Sequence, residues 1–304
     1  MRVEVRNRPE NIPPHILELV EDEITASLKA VETEPGRFVI NDTHWFKLNA
    51  QGKPTPCVMN AAEFISRKFE THLRDTYGWQ TQFTSDEQRI DGYNSYVQSE
   101  ASYYISKNEY RKLITKYWED HPEEDIEGVM REVKEMYIVR RKYDIQNWEE
   151  QYRSFFTPAS AKETSDSNFN AGLEFETGNI ASAFRSFLKL STLYEQGVLD
   201  LGVFVTTVRA AAHRIWPVSN RNVTYEELVN RRYKNTVKFP VMEFVFQPDD
   251  YSAHAAYLHR DGTTYIPQDT GQKIEISGVP YQIYIRGMAE QILLPINPTL
   301  FIQG

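Results

Sequence analysis

The chain has 304 residues, 40 % hydrophobic, 13 % aromatic and 25 % charged, with a formal net charge of −9. That composition suits a water-exposed globular fold with enough apolar material for a core, and no apolar run reaches the roughly 20 residues of a membrane helix. A single cysteine, Cys57, excludes an internal disulfide and a cysteine-rich zinc site; with no signal-like apolar start, a cytoplasmic setting is expected. The acidic balance argues against bulk affinity for polyanions but leaves room for a local cleft that binds nucleic acid.

In chain order, Ile16, Leu19, Val20, Ile24 and Leu28 recur at helical spacing after Pro13-Pro14, predicting a helix over 15–31. Arg37–Ile40 is a short strand candidate, and Asn49–Pro56 reads as loop. Phe64, Ile65, Phe69 and Leu73 predict a helix over 61–77, stopped by Gly78. Residues 108–118 and 126–143 are charge-rich and helical in period, 148–156 adds a third helix, and Thr157–Asn168 is a polar linker. The block over 101–165 therefore reads as a helical insertion or subdomain within a single domain spanning 1–304.

Next come a strand over 171–177, a helix over 180–194 closed by Gly197, and a buried strand over 198–208. Strand–helix–strand order predicts a crossover unit and an α/β fold with a mixed sheet. Residues 238–246 form another strand, and 274–276 and 281–285 are weaker ones.

The chemistry concentrates in Leu173-Glu174-Phe175-Glu176-Thr177-Gly178-Asn179. In a strand, residues two apart share a face about 6.6 Å apart, so Glu174 and Glu176 lie together and repel. Solvent exposure, a shared proton or an intervening cation would relieve this. One reading is a half-solvated strand. A second is a divalent-metal site, since Mg²⁺ takes carboxylate and carbonyl oxygens plus water. A third is a glycosidase acid pair, which usually draws on separate strands. Gly178 permits a tight turn, and Asn179 is a good N-cap for the helix starting at Ile180. Ser182, Arg185 and Lys189 fall off that helix's apolar stripe; Arg185 reads either as a solvated face or, two turns from the proposed metal, as a group near an anionic substrate.

Gly172-Leu-Glu-Phe-Glu-Thr-Gly-Asn-Ile-Ala-Ser-Ala-Phe-Arg-Ser186 resembles the active-site segment of BamHI-like type II restriction endonucleases. The likeness extends through Gly197–Leu201, Ser219–Arg221, Thr224–Leu228 and, upstream, Asp75–Trp79. The resemblance implies a restriction-endonuclease-like α/β fold, a central mixed β-sheet flanked by helices, that hydrolyses phosphodiesters with Mg²⁺. It implies that Glu174 and the Phe175 backbone carbonyl bind metal and that Glu176 orients or deprotonates the attacking water. Asp91, in Arg89–Tyr93, is the favoured upstream acid, although 83 positions separate it from Glu174; Asp144 is the fallback. A further family glutamate has no clear match at Gln80-Thr81-Gln82, with Glu87 nearest.

The resemblance also implies base contacts from Asn179, Arg185, Asn220 and Arg221. An amide suits adenine and an arginine suits guanine. Asn220 and Ala181 replace a family Asp and Ser. A short palindromic, GATC-centred site, a homodimer and a companion DNA methyltransferase would follow. A DNA-binding protein that has lost cleavage is the alternative, and a carbohydrate hydrolase a weaker third. His254 and His259 lack a third ligand at zinc spacing. Arg140-Arg141-Lys142 and Arg231-Arg232-Tyr233-Lys234 read as solvated faces that could contact phosphates.

Overall fold

A computed structural model describes residues 1–85, 88–98, 103–104, 107–137, 150–153, 155, 157–158, 167–178, 180–217, 222–233, 238–287 and 289–297. The chain divides into two compact units, one of residues 1–12, 20–94 and 171–304, the other of 13–19 and 95–170.

The larger unit is built on a six-stranded sheet. Its strands are β1 (Arg2–Asn7), β2 (Gln80–Ser85), β3 (Gln88–Gln98), β4 (Ser167–Phe175), β5 (Leu201–Thr207) and β6 (Val241–Gln247), in the spatial order β1-β6-β5-β4-β3-β2. β4, β5 and β6 run parallel, while β1 joins β6 and β2 joins β3 antiparallel. The sequence explains the arrangement. β5, Leu-Gly-Val-Phe-Val-Thr-Thr, is buried along its whole length, as a central parallel strand must be. The edge strands β1 and β2 alternate exposed and half-buried residues.

Helices cover both faces. We label α1 (Pro14–Lys29), α2 (Ala62–Tyr77) and α3 (Ile180–Glu195). α2 ends where expected: Gly78 takes φ 73°, and its N–H and that of Trp79 reach back to the Arg74 and Leu73 carbonyls. α3 buries Ala183, Phe187, Leu190 and Leu193 with Leu199 and Phe204, the Phe187 and Phe204 rings stacking at 4.4 Å. β4 pairs with β5 so that Glu174 lies opposite Phe204 and Phe175 opposite Val205. Because side chains alternate along a strand, Glu174 shares the α3 face with Phe204. Phe175 takes the other face, packing on Phe69 of α2 at 5.4 Å and Phe246 at 5.6 Å.

The same unit holds a five-stranded antiparallel sheet in the order Gln268–Ile276, Val279–Arg286, Glu290–Pro295, Trp45–Leu48, Pro54–Cys57. Trp45, Cys57, Met59, Tyr257 and Ile292 form its core. Two expectations are corrected here. The predicted loop over 49–56 enters a strand at Pro54, which its prolines tolerate because this strand is an edge. The weak strands at 274–276 and 281–285 are long: nine and eight residues.

The smaller unit contains helices Lys107–Asp120, Ile126–Tyr137 and Glu150–Arg153. Leu113, Tyr117, Val129, Val133 and Tyr152 form its core. The predicted polar linker is partly strand, at Thr157–Pro158 and from Ser167 onward; 159–166 lies outside the described residues, as does 138–143 of the predicted second helix.

Gly172 in β4 is a packing glycine. A Cβ there would stand 2.4 Å from Leu199 Cδ1 and 3.0 Å from Ile90 Cδ1, both in the core. Gly172→Ala is therefore expected to cost about 1–3 kcal/mol by overpacking, measured by urea denaturation; an unchanged midpoint would contradict this packing.

Candidate active site

The site forms where the carboxyl end of β4 lies beside the first half of β3. β3 and β4 are neighbours, and the Phe175 N–H donates to Asp91 Oδ2 at 2.9 Å. A residue 83 positions away in sequence is thus brought beside Glu174 by sheet pairing alone. Asp91 lies within β3, not in a turn.

Strand alternation delivers Glu174 to the α3 face, where its side chain is only 3 % exposed. Ser186 Oγ donates to Glu174 Oε2 at 2.7 Å and reaches Glu176 Oε2 at 3.3 Å. One hydroxyl on α3 thus donates to Glu174 with Glu176 also within its reach. One helical turn on, the Lys189 ammonium pairs with Glu174 Oε1 and donates to the Arg89 carbonyl of β3 at 2.8 Å. Ser186 and Lys189 are three apart, the spacing that puts two side chains on one helix face.

β4 ends at Phe175, two residues before the predicted strand end. Glu176 still extends the ladder by one bond, its N–H donating to the Val205 carbonyl at 2.8 Å. Its Oε1 accepts from the Gly178 N–H at 3.0 Å. A Cβ on Gly178 would itself stand 3.0 Å from that oxygen, so a glycine suits this turn. The Gly178 carbonyl in turn accepts from the Val223 N–H at 2.8 Å.

The electrostatics follow from this crowding. Burial, with the nearby negative charge of Asp91, pushes the Glu174 carboxyl up to about 7; Lys189 and Ser186 oppose that rise. Glu70, half-buried on α2, is pushed up to about 7 by burial and again by Asp91, with Gln82 and Arg67 opposing. Gln82 adopts φ 56° between the Thr81–Gly92 and Phe83–Ile90 pairs, in register with Asp91. Glu70 and Glu174 thus both feel the charge of Asp91.

Of the sequence candidates, Asp91, Glu174, Phe175 and Glu176 come together. Arg185 is exposed on α3, adjacent to Ser186. Asn179, Asn220, Arg221, Asp144 and Glu87 lie outside the described residues. Sequence reasoning missed Ser186, Lys189 and Glu70. Lys189 lies off the apolar stripe, which by itself assigns it no role, yet that flank of α3 reaches Glu174 of β4 and the Arg89 carbonyl of β3. Glu70 directly follows the core residue Phe69, and nothing local marks it. Away from the site, His259 Nδ1 pairs with Asp261 Oδ1 at 2.9 Å.

Among the described residues, no group of three or more His, Cys, Asp or Glu side chains is gathered tightly enough to hold a metal. The donor set still fits a hard divalent cation. The oxygens available are carboxylate and backbone carbonyl, and the repulsion from Asp91 that raises Glu174 is what a cation would relieve.

Residues 4–247, about four-fifths of the chain, match the family described as restriction endonuclease BamHI. No curated protein matches the chain. The match takes in the whole six-stranded sheet except Arg2 and Val3 at the start of β1, and stops before the strands of 268–295. No helix among the described residues is long and apolar enough to cross a membrane.

Between an ordinary carboxyl value of 4.5 and about 7, the folded chain keeps protons on Glu174 and Glu70 that the unfolded chain has released. Extra protons on the folded state mean that stability falls as pH rises through that window. The metal-free protein is expected to melt at progressively lower temperature from pH 5 to pH 7.5. Glu174→Gln should flatten the decline, removing on the order of 3 kcal/mol of the stability lost across the window. A wild-type melting temperature that rises across the window would be the contrary result.

Proposed function

The chain belongs to the BamHI restriction endonuclease family and is a type II site-specific deoxyribonuclease acting on double-stranded DNA, and from that premise we propose that it cleaves a short palindromic site by Mg²⁺-dependent hydrolysis. Restriction endonucleases generally use divalent metal ions; Mg²⁺ is our choice because the donors are hard oxygens. The observation that carries the proposal is the meeting of Asp91, tied to the Phe175 amide, with Glu174 and Glu176, which share the reach of Ser186.

In this reading, Asp91, Glu174 and the Phe175 carbonyl hold the metal. When bound, the metal supplies positive charge against the phosphate and the leaving oxygen. Glu176 orients the attacking water and accepts its proton. Its place supports this role: it lies past the end of β4, partly exposed, and is held by the Ser186 hydroxyl and the Gly178 N–H. The phosphodiester breaks between phosphorus and the leaving oxygen as the water oxygen bonds to phosphorus.

Base recognition is assigned to Asn179, Arg185, Asn220 and Arg221, with a GATC-centred hexamer as the proposed target. Arg185 directly precedes Ser186 and is exposed, which suits a groove contact. The protein would act as a homodimer, since two-fold symmetry in the protein matches a palindrome. Leu188, 42 % exposed on α3, supports that helix as the dimer contact. Residues 101–165 are read as a helical insertion within a single nuclease domain of 1–304. A cognate methyltransferase would protect host DNA in the same cytoplasm.

Incubation of plasmid DNA with Mg²⁺ is expected to give discrete fragments. Glu176→Ala should slow cleavage by on the order of 10³-fold while leaving DNA binding in Ca²⁺ intact. Sequencing the fragment ends yields the site and the stagger. Random ends would sink sequence specificity, and tight binding without cuts would identify a binding protein instead.

A further inference from the structure

The carboxylates of the site need a cation, and one is already present. Lys189 reaches down from α3 and is held on two sides, by Glu174 Oε1 of β4 and by the Arg89 carbonyl of β3. Ser186 occupies the other oxygen, Oε2. Both oxygens of a carboxylate that is almost wholly buried are therefore engaged before any metal arrives.

We propose that Lys189 is the positioning residue of the metal site: an internal cation that holds Glu174 in the metal-free protein and is exchanged for the divalent ion on loading. The inference rests on Glu174 being a metal ligand. An ammonium and a dication drawn to the same buried carboxylate repel each other strongly, because the protein interior screens poorly. Mg²⁺ also needs close, near-octahedral contacts, which a resident ammonium obstructs.

Lysine suits such an exchange. Its charge is compact and sits on a flexible four-carbon stem, and its side chain is 27 % exposed, so water is at hand for the displaced ammonium. Its second tether, a neutral carbonyl, is readily replaced by water. Ser186 is uncharged and holds Glu174 and Glu176 without competing for the same charge. The orientation of the carboxylates therefore survives the exchange. In the metal-free protein the ammonium also keeps Glu174 and Asp91 from pushing apart. DNA-free protein would accordingly bind metal weakly, with the lysine setting the threshold.

The test is calorimetric titration of Ca²⁺ into the full-length, DNA-free protein at pH 8.5. Lys189→Met should bind Ca²⁺ about tenfold more tightly than wild type, and Lys189→Arg within about threefold of it. A purely structural tie between helix and strands predicts the opposite for Lys189→Met, because loosening Glu174 weakens the site. Unchanged or weaker binding by Lys189→Met overturns the inference. Wild-type protein gives a second readout that needs no variant. Acetylation of Lys189, followed by mass spectrometry, should speed up at least about threefold in saturating Ca²⁺ as the ammonium is released, and an unaltered rate overturns the proposal. Glu174→Gln separates the two readings. If it binds Ca²⁺ as wild type does, Glu174 is no ligand and the underlying assignment falls; if it loses binding while Lys189→Met shows no gain, only the role of Lys189 falls.

Discussion

Two like charges on neighbouring strands set the terms for much of the structure around them. Asp91 of β3 is bonded to the residue after Glu174 of β4, and Glu174 is buried, so the fold must supply positive charge or polar donors nearby. It does so from every side. The Phe175 amide serves Asp91, the Ser186 hydroxyl serves both glutamates, Lys189 serves Glu174 and the Gly178 amide serves Glu176. Register is constrained by the same need. A one-residue slip of β4 would turn Phe175 toward Ser186 and Glu174 toward the Phe69–Phe246 stack. A carboxylate among rings, and two buried polar partners left without it, would be costly.

The parts of the site that could be read from the sequence are those fixed by local period. Strand alternation placed Glu174 and Glu176 on one face, and helical period gave α3 within a residue of its true end. Ser186 and Lys189 escaped because periodicity sorts a helix into apolar and polar faces without saying what the polar flank overlooks. Asp91 was only one of two candidates, since which strands pair is a long-range matter. Glu70 was hidden for the same reason: its neighbourhood comes from the meeting of α2 with β2 and β3. In the fold at large, the continuous apolar run of β5 was plain. β1, β2 and the strand Gln268–Ile276 were not, because edge strands carry many polar residues and resemble loops.

The five-stranded sheet shows how far a family match and a folding unit differ. Its last three strands lie beyond residue 247, yet its other two, Trp45–Leu48 and Pro54–Cys57, lie inside the matched region. Side-chain bonds stitch the parts together. Asn41 Nδ2 donates to the Ala253 and Ala255 carbonyls, Tyr257 donates its hydroxyl to Asn41 Oδ1, and Asn60 Nδ2 donates to the Asn41 carbonyl. Removing the C-terminal strands would therefore open a core containing Trp45 and Met59, not trim an appendage.

The peptide at Gly178 has one further consequence. Its amide holds Glu176, and its carbonyl holds the amide of Val223, two residues after Arg221. The acid assigned to the water and the far end of the segment assigned to base reading are thus moored to the same few atoms. A displacement of Val223 is thereby passed through Gly178 to the carboxylate of Glu176, so the two cannot move independently.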